Sequence, residues 1–287
     1  MKRSLLLILL CLIPTLTHAG QSIIVDSEGY AFMGADYSRK ATEQAALTDA
    51  RRKGGDAALT YIRAETTIKD AMLEKDLVNA YTKAQVKLIA ELLKEWFKDP
   101  ASGDCYRVKL KLEVTPDETA MAELSRKKGG EFLDDPSAPL TVKVWTNKEE
   151  YREGEKIKIY LKGNRPFFGK VLYRDASGAL AQILPNPFRK DAYFNGGTVY
   201  ELPAGDDRYE LEVSAPFGVE QLILSAGTAP LGELELEPAG QVYLVRSLAK
   251  NIGVTSRGLK VNAKQGGTGV AAAEFAEAIV SMTTRKK

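Results

Sequence analysis

YREGEKIKIYLKGNRPFFGKVLYRDASGALAQIL, residues 151–184, decides the fold class. Its turn at Glu153-Gly154-Glu155 leads into Ile157, Ile159 and Leu161, each separated by a polar residue. The next run folds back on itself at Asp175 to Gly178. Alternation with period two, broken by turn residues every few positions, marks short half-buried strands rather than helices.

Working outward, Leu140, Val142 and Val144 alternate before this stretch, and Tyr209, Leu211 and Val213 alternate after it. EQLILSA (220–226) and GELELE (232–237) follow. Short strands at this spacing predict an antiparallel β-sandwich, immunoglobulin-like, over residues 140–238.

The preceding residues change character, giving an α+β class: an N-terminal α/β sandwich-like domain (20–130), a linker (131–139), and then the sandwich. Residues 23–34 have strand composition. Ser38 can cap a helix whose face carries Leu47, Ala50, Gly54, Ala57, Ala58 and Tyr61. Those small side chains predict close packing on a sheet, with a break at Gly54-Gly55 as the competing reading. Periodicity leaves residues 77–97 open between helix and strand. The clean alternation of Tyr106, Val108, Leu110, Leu112 and Val114 after the turn DPASGD favours a strand there, forming a hairpin. Its parity turns Cys105 outward, with Arg107 and Lys109. A charged helix over 116–128 closes this domain. The tail (239–287) reads as one strand, a glycine-rich joint KQGGTG (264–269), and a short terminal helix with Phe275, Ala278, Ile279 and Met282 on one side.

Lys2 and Arg3 precede an apolar run, and Thr17-His18-Ala19 supplies small residues, the pattern of a signal peptide (1–19) cleaved between Ala19 and Gly20. This predicts a protein exported to the periplasm or associated with the outer membrane. Cleavage would remove the chain's single histidine and one of its 2 cysteines. Without imidazole, Ser-His-Asp or Cys-His catalysis and histidine-rich metal sites are excluded. Cys105 would be left as an unpaired thiol, a candidate for an intermolecular disulfide. The 40 Lys and Arg, less Lys2 and Arg3, leave 38 against 38 Asp and Glu, so no nucleic-acid partner is expected. No other apolar run is long enough to span a bilayer, so an integral membrane protein is not expected after cleavage.

Several separate motifs carry a family resemblance: the Tyr151–Glu155 turn, Leu184-Pro185-Asn186, Pro203, Pro216-Phe217-Gly218, and Ser225 leading into Pro230-Leu231-Gly232. On these, residues of about 140–235 resemble the bacterial domain of unknown function family 4384. The resemblance implies a β-rich accessory module of secreted or envelope proteins, with no assigned reaction. More weakly, a strand ending at Gly34, ALTDARRKG (46–54) and YRVKLKLEV (106–114) resemble the N-terminal domain of flagellar assembly protein T and related small outer-membrane lipoproteins.

No motif calls for a catalytic residue, cofactor or metal. Glu153 and Glu155 read as a solvated turn, because an acid/base pair needs a cleft to separate its pKa values. KQGGTG lacks the Lys-Ser/Thr ending of a phosphate loop. The best candidate is the loop QILPNPFRKDAYFNGGTVYELPAG (182–205), where Asn186, Arg189, Asp191 and Asn195 stand beside Phe188, Tyr193 and Phe194. Aromatics and arginine favour protein-binding patches. If the rings instead tuck beneath the loop, they form a satellite core. The expected function is a non-enzymatic envelope accessory or adaptor acting through a protein partner, with a flagellar or secretion assembly as the candidate setting. The alternative is a binding module for a polar envelope ligand such as a glycan.

Overall fold

A computed structural model describes residues 20–35, 37–66, 71–127, 131–239, 242–246 and 272–287. The apolar leader with Ala19 and the glycine-rich stretch 264–269 lie outside them.

The N-terminal part starts with β1 (Gln21–Phe32), α1 (Arg39–Thr66) and α2 (Ala71–Thr82). Then follow β2 (Gln85–Asp99), β3 (Gly103–Thr115) and α3 (Glu118–Lys127). Ser38 caps α1, its Oγ accepting the Ala41 amide at 3.2 Å. The helix runs unbroken through Gly54-Gly55. Its small-residue face lies on the sheet: Ala46, Ala50, Ala57, Ala58 and Ile62 form one core with Ile23, Val25, Val108, Leu110 and Leu112. The ambiguous residues 77–97 divide into both readings, helix to Thr82 and strand from Gln85. β2 and β3 form the expected hairpin, with bulges between Leu88 and Ala90 and between Glu91 and Leu93.

The second part contains β4 (Val142–Thr146), β5 (Glu150–Arg152), β6 (Ile159–Gly163), β7 (Phe167–Arg174) and β8 (Leu180–Leu184). β9 (Tyr193–Phe194), β10 (Val199–Leu202), β11 (Val219–Gly227), β12 (Leu236–Ala239) and β13 (Val242–Val245) complete it. The small sheet β10-β6-β4 packs face to face on the large one. Val144, Ile159, Leu161 and Leu202 meet Val171, Leu184, Leu222, Leu224, Ala276 and Met282 in a shared core. That is a sandwich, built by the alternation of residues 151–184.

The predicted terminal helix is corrected to a strand, β14 (Ala272–Arg285). Phe275, Ala278, Ile279 and Met282 mimic helical spacing because β14 is central and buried on both faces, which erases the period-two signal. Ala276 and Met282 enter the sandwich core on one face, while Phe275 joins Ile24 on the other.

β14 also sets the architecture. It pairs with β1 through Ala272–Ala276 and with β11 through Phe275–Thr283. Among the described residues this makes one 11-stranded sheet along β12-β13-β8-β7-β11-β14-β1-β3-β2, with β5 and β9 as side branches. α1 and the small sheet cover adjacent halves of the same face, each over its own core. Among the described residues, no helix is long and apolar enough to cross a membrane.

Cys105 has the expected outward parity, with Arg107, and its lateral neighbours on β1 and β2 are Phe32 and Phe97. It is buried, only 7% exposed. A thiol so covered is poorly placed to form a disulfide with another chain.

Candidate functional site

Loop 185–192 leaves the sheet edge between β8 and β9, both of which pair with β7. Asn186 builds its first turn from within. The buried side-chain Nδ2 donates to the Ile183 carbonyl at 2.8 Å, and Oδ1 accepts the amides of Phe188 and Arg189, each at 2.8 Å. A short polar side chain bonding its own backbone in this way fixes a turn without outside help. Asp191 repeats the device, accepting the Tyr193 amide at 3.0 Å.

The structure splits the loop's aromatics between the two readings. Phe194 is buried, stacked on Phe167 at 5.1 Å and met edge-on by Tyr200 at 4.9 Å. It belongs to the sandwich core. Phe188 and Tyr193 remain 51% and 47% exposed. Each has one ring behind it, Tyr209 at 6.4 Å for Phe188 and Phe168 at 5.1 Å for Tyr193. Arg189 turns back to pair with Asp207 at 3.2 Å and to lie over Phe194, so its charge braces the loop. Asn195 is exposed, its amide donating to the Tyr200 hydroxyl at 3.0 Å. Phe188, Asp191, Tyr193 and Asn195 therefore face out, whereas Asn186, Arg189 and Phe194 hold the support.

The loop's far end is tied to the rest of the molecule. Gly197 has φ of +77°, a conformation that favours glycine, and its amide donates to the Gly163 carbonyl at 2.8 Å. Its neighbour Gly196 lies directly on the Arg165 backbone. Arg165 in turn reaches a buried carboxylate, Glu274 of β14, at 2.6 Å. Glu274 also accepts the Leu140 amide and, at 3.4 Å, the Tyr61 hydroxyl of α1. Its backbone exchanges hydrogen bonds with Thr228, each at 3.0 Å. Burial raises the Glu274 pKa above the usual carboxylate range, outweighing the opposing pull of Arg165.

Sequence reasoning missed this cluster because its members are far apart in the chain and Glu274 sat inside a predicted amphipathic helix. Asn164 completes the seam, its side-chain Nδ2 donating to the carbonyls of Asp135, Ala138 and Pro139. The segment read as a linker is thus pinned against the fold.

Other chemistry-bearing groups are occupied structurally. Glu155 accepts the Arg152 amide and the Lys148 ammonium, both at 2.9 Å, which lowers its pKa and closes the turn. Lys170, Ser225 and Glu277 form a lateral row across β7, β11 and β14. Burial lowers the Lys170 pKa to about 8, and its ammonium donates to the Gly232 carbonyl, holding the 228–234 segment over the sheet.

A family model described as Domain of unknown function (DUF4384) matches residues 150–230, from β5 through the loop and β11. The resemblance carried by residues 151–155, 184–186 and 216–218 is therefore found independently. Neither the curated proteins nor the solved structures gave a match.

Proposed function

We propose that the protein is a non-enzymatic accessory or adaptor of the bacterial cell envelope, exported through its leader and acting by protein-protein contact, with a flagellar or secretion assembly as the candidate setting. The observation that carries this reading is the pair Phe188 and Tyr193, exposed on a loop whose turns are fixed internally by Asn186 and Asp191. A pre-ordered loop loses little entropy on binding, and exposed aromatics with a ring behind them make good anchors. The sandwich carrying the loop fits an immunoglobulin-like adaptor plan, two packed sheets with the binding loop at an edge.

Affinity capture from envelope extracts tests the reading. The wild-type chain should retain a defined partner, and the Phe188→Ser, Tyr193→Ser double variant should bind it at least about 30-fold more weakly, the loss of roughly 2 kcal/mol typical of an interface anchor. Equal retention by both chains, or binding of glycan fragments with no protein partner, would contradict it.

A further inference from the structure

A second exposed patch lies on β1, β3 and β2, across the sheet from the strands that carry the loop. β1 is paired with β14 only as far as Val25, and its remaining residues run on to Phe32, away from the sandwich. At that end Phe32, Cys105 and Phe97 form one lateral row across β1, β3 and β2. Phe32 is 66% exposed and Tyr37, in the turn that follows, 58%. Tyr30, two residues back on β1, and Phe97 are also exposed. These are large apolar side chains on a face that an ordinary solvated sheet would fill with polar residues.

The charge around the patch is also unusual. α1 begins with Arg39 and Lys40 and has no acidic residue in its first turn, although carboxylates are the side chains that a helix N-terminus favours. Arg39 lies over the Trp96 ring at 4.6 Å, which keeps this basic start beside β2. Lys98 is exposed on the same end of β2. Among the described residues none of these three cations is in an ion pair. Among the described residues, three of the acids nearby are occupied: Asp99 accepts the amides of Ala101 and Ser102, and Glu28 and Glu95 flank Arg107. Asp104 is exposed, and its carbonyl takes the Met33 amide.

Exposed Phe and Tyr on one side of this sheet tip, with unpaired Lys and Arg at the same tip on the side that carries Trp96, match the boundary of an anionic bilayer met end-on, where the rings enter the headgroup region and the cations meet phosphate. We propose that this end of the N-terminal sheet, centred on Phe32 and Tyr37 with Arg39, Lys40 and Lys98, docks peripherally on membranes containing anionic phospholipid. It is a surface separate from the Phe188–Tyr193 loop, with β11 and β14 between the two, so one molecule can hold a bilayer and a protein at once.

Co-sedimentation of the purified chain with phosphatidylcholine vesicles, with and without phosphatidylglycerol, tests the proposal. Wild type and variants carry the same N-terminus, so any anchor there contributes equally. Binding should require phosphatidylglycerol and weaken with salt. Lys40→Gln and Lys98→Gln should each reduce it about fivefold, the equivalent of ~1 kcal/mol per cation. Phe32→Ser with Tyr37→Ser, at positions more than half exposed, should remove most of it. Equal binding to uncharged vesicles, undiminished binding by the serine variant, or a wild-type dimer that the serine variant makes monomeric would each overturn the proposal.

Discussion

Glu274→Ala is expected to destabilise the protein by about 3–5 kcal/mol, the usual cost of removing one partner from a buried charged pair. The alanine leaves the Arg165 guanidinium without its carboxylate at 2.6 Å and the Leu140 amide without an acceptor. Thermal unfolding should register the change as a fall of roughly 2–4 °C per kcal/mol for a chain of this size. Glu274→Gln keeps the shape and most hydrogen bonding, so its loss should be smaller.

The two variants also separate charge from packing through pH. Burial raises the folded-state pKa of Glu274 above its unfolded value, so the native state binds the proton more tightly. Its contribution is therefore most favourable below the unfolded pKa and declines as pH rises through the raised, folded one. Glutamine does not titrate. Wild-type stability measured against Glu274→Gln should fall as pH increases from the usual carboxylate range upward, and a difference that stays flat with pH would contradict the buried-carboxylate account. Tyr61, Glu65 and Arg165 are the charged or titratable groups that act on Glu274 in that seam.

Gly29→Ala is expected to cost about 3 kcal/mol, at the upper end of overpacking effects. A Cβ at Gly29 would lie 2.2 Å from the Ala46 carbonyl oxygen and 2.5 Å from the Ala50 nitrogen, both main-chain atoms of α1. Neither can move without lifting the helix from the sheet, where Ser27 also donates to the Ala50 carbonyl at 2.7 Å. Gly55→Ala serves as the opposite case, because the added Cβ meets only Val86 at 3.8 Å. There the helix preference for alanine should gain up to about 1 kcal/mol. Denaturant midpoints for the two variants should move in opposite directions. A neutral Gly29→Ala would show that α1 sits less closely on β1 than described.

Legibility in the sequence followed how many faces each element buries. Residues 151–163 and 105–114 bury mainly one face, and their alternation gave the strands and the β2–β3 hairpin correctly, whereas β7, buried on both faces, was legible from the turn at Asp175 to Gly178. α1 was legible from Ser38 and its alanine face, and only its continuity through Gly54-Gly55 had to come from packing. β14 was misread because burial of both faces leaves no period, and with it went the continuous sheet. In the loop, Asn186 and Asp191 announced turns, but whether Phe194 or Tyr193 entered the core depends on β9 pairing with β7 at Phe167 and Phe168, which no local pattern encodes. The exposure of Phe32 was hidden for a related reason: it continues the apolar run of β1 beyond the point where α1 and β14 cover it.

β14 and the Glu274 seam tie the two cores together, so the chain should unfold as one cooperative unit. The chain has 2 tryptophans, Trp96 on β2 beside the N-terminal core and Trp145 on β4 of the sandwich. Equilibrium urea unfolding of Trp96→Phe and Trp145→Phe, each followed by the fluorescence of the remaining tryptophan, reports the cores separately. After correction for the stability change each substitution itself causes, the two transitions should coincide at a single midpoint. Two separated transitions, with the sandwich surviving the loss of the N-terminal core, would contradict that cooperativity.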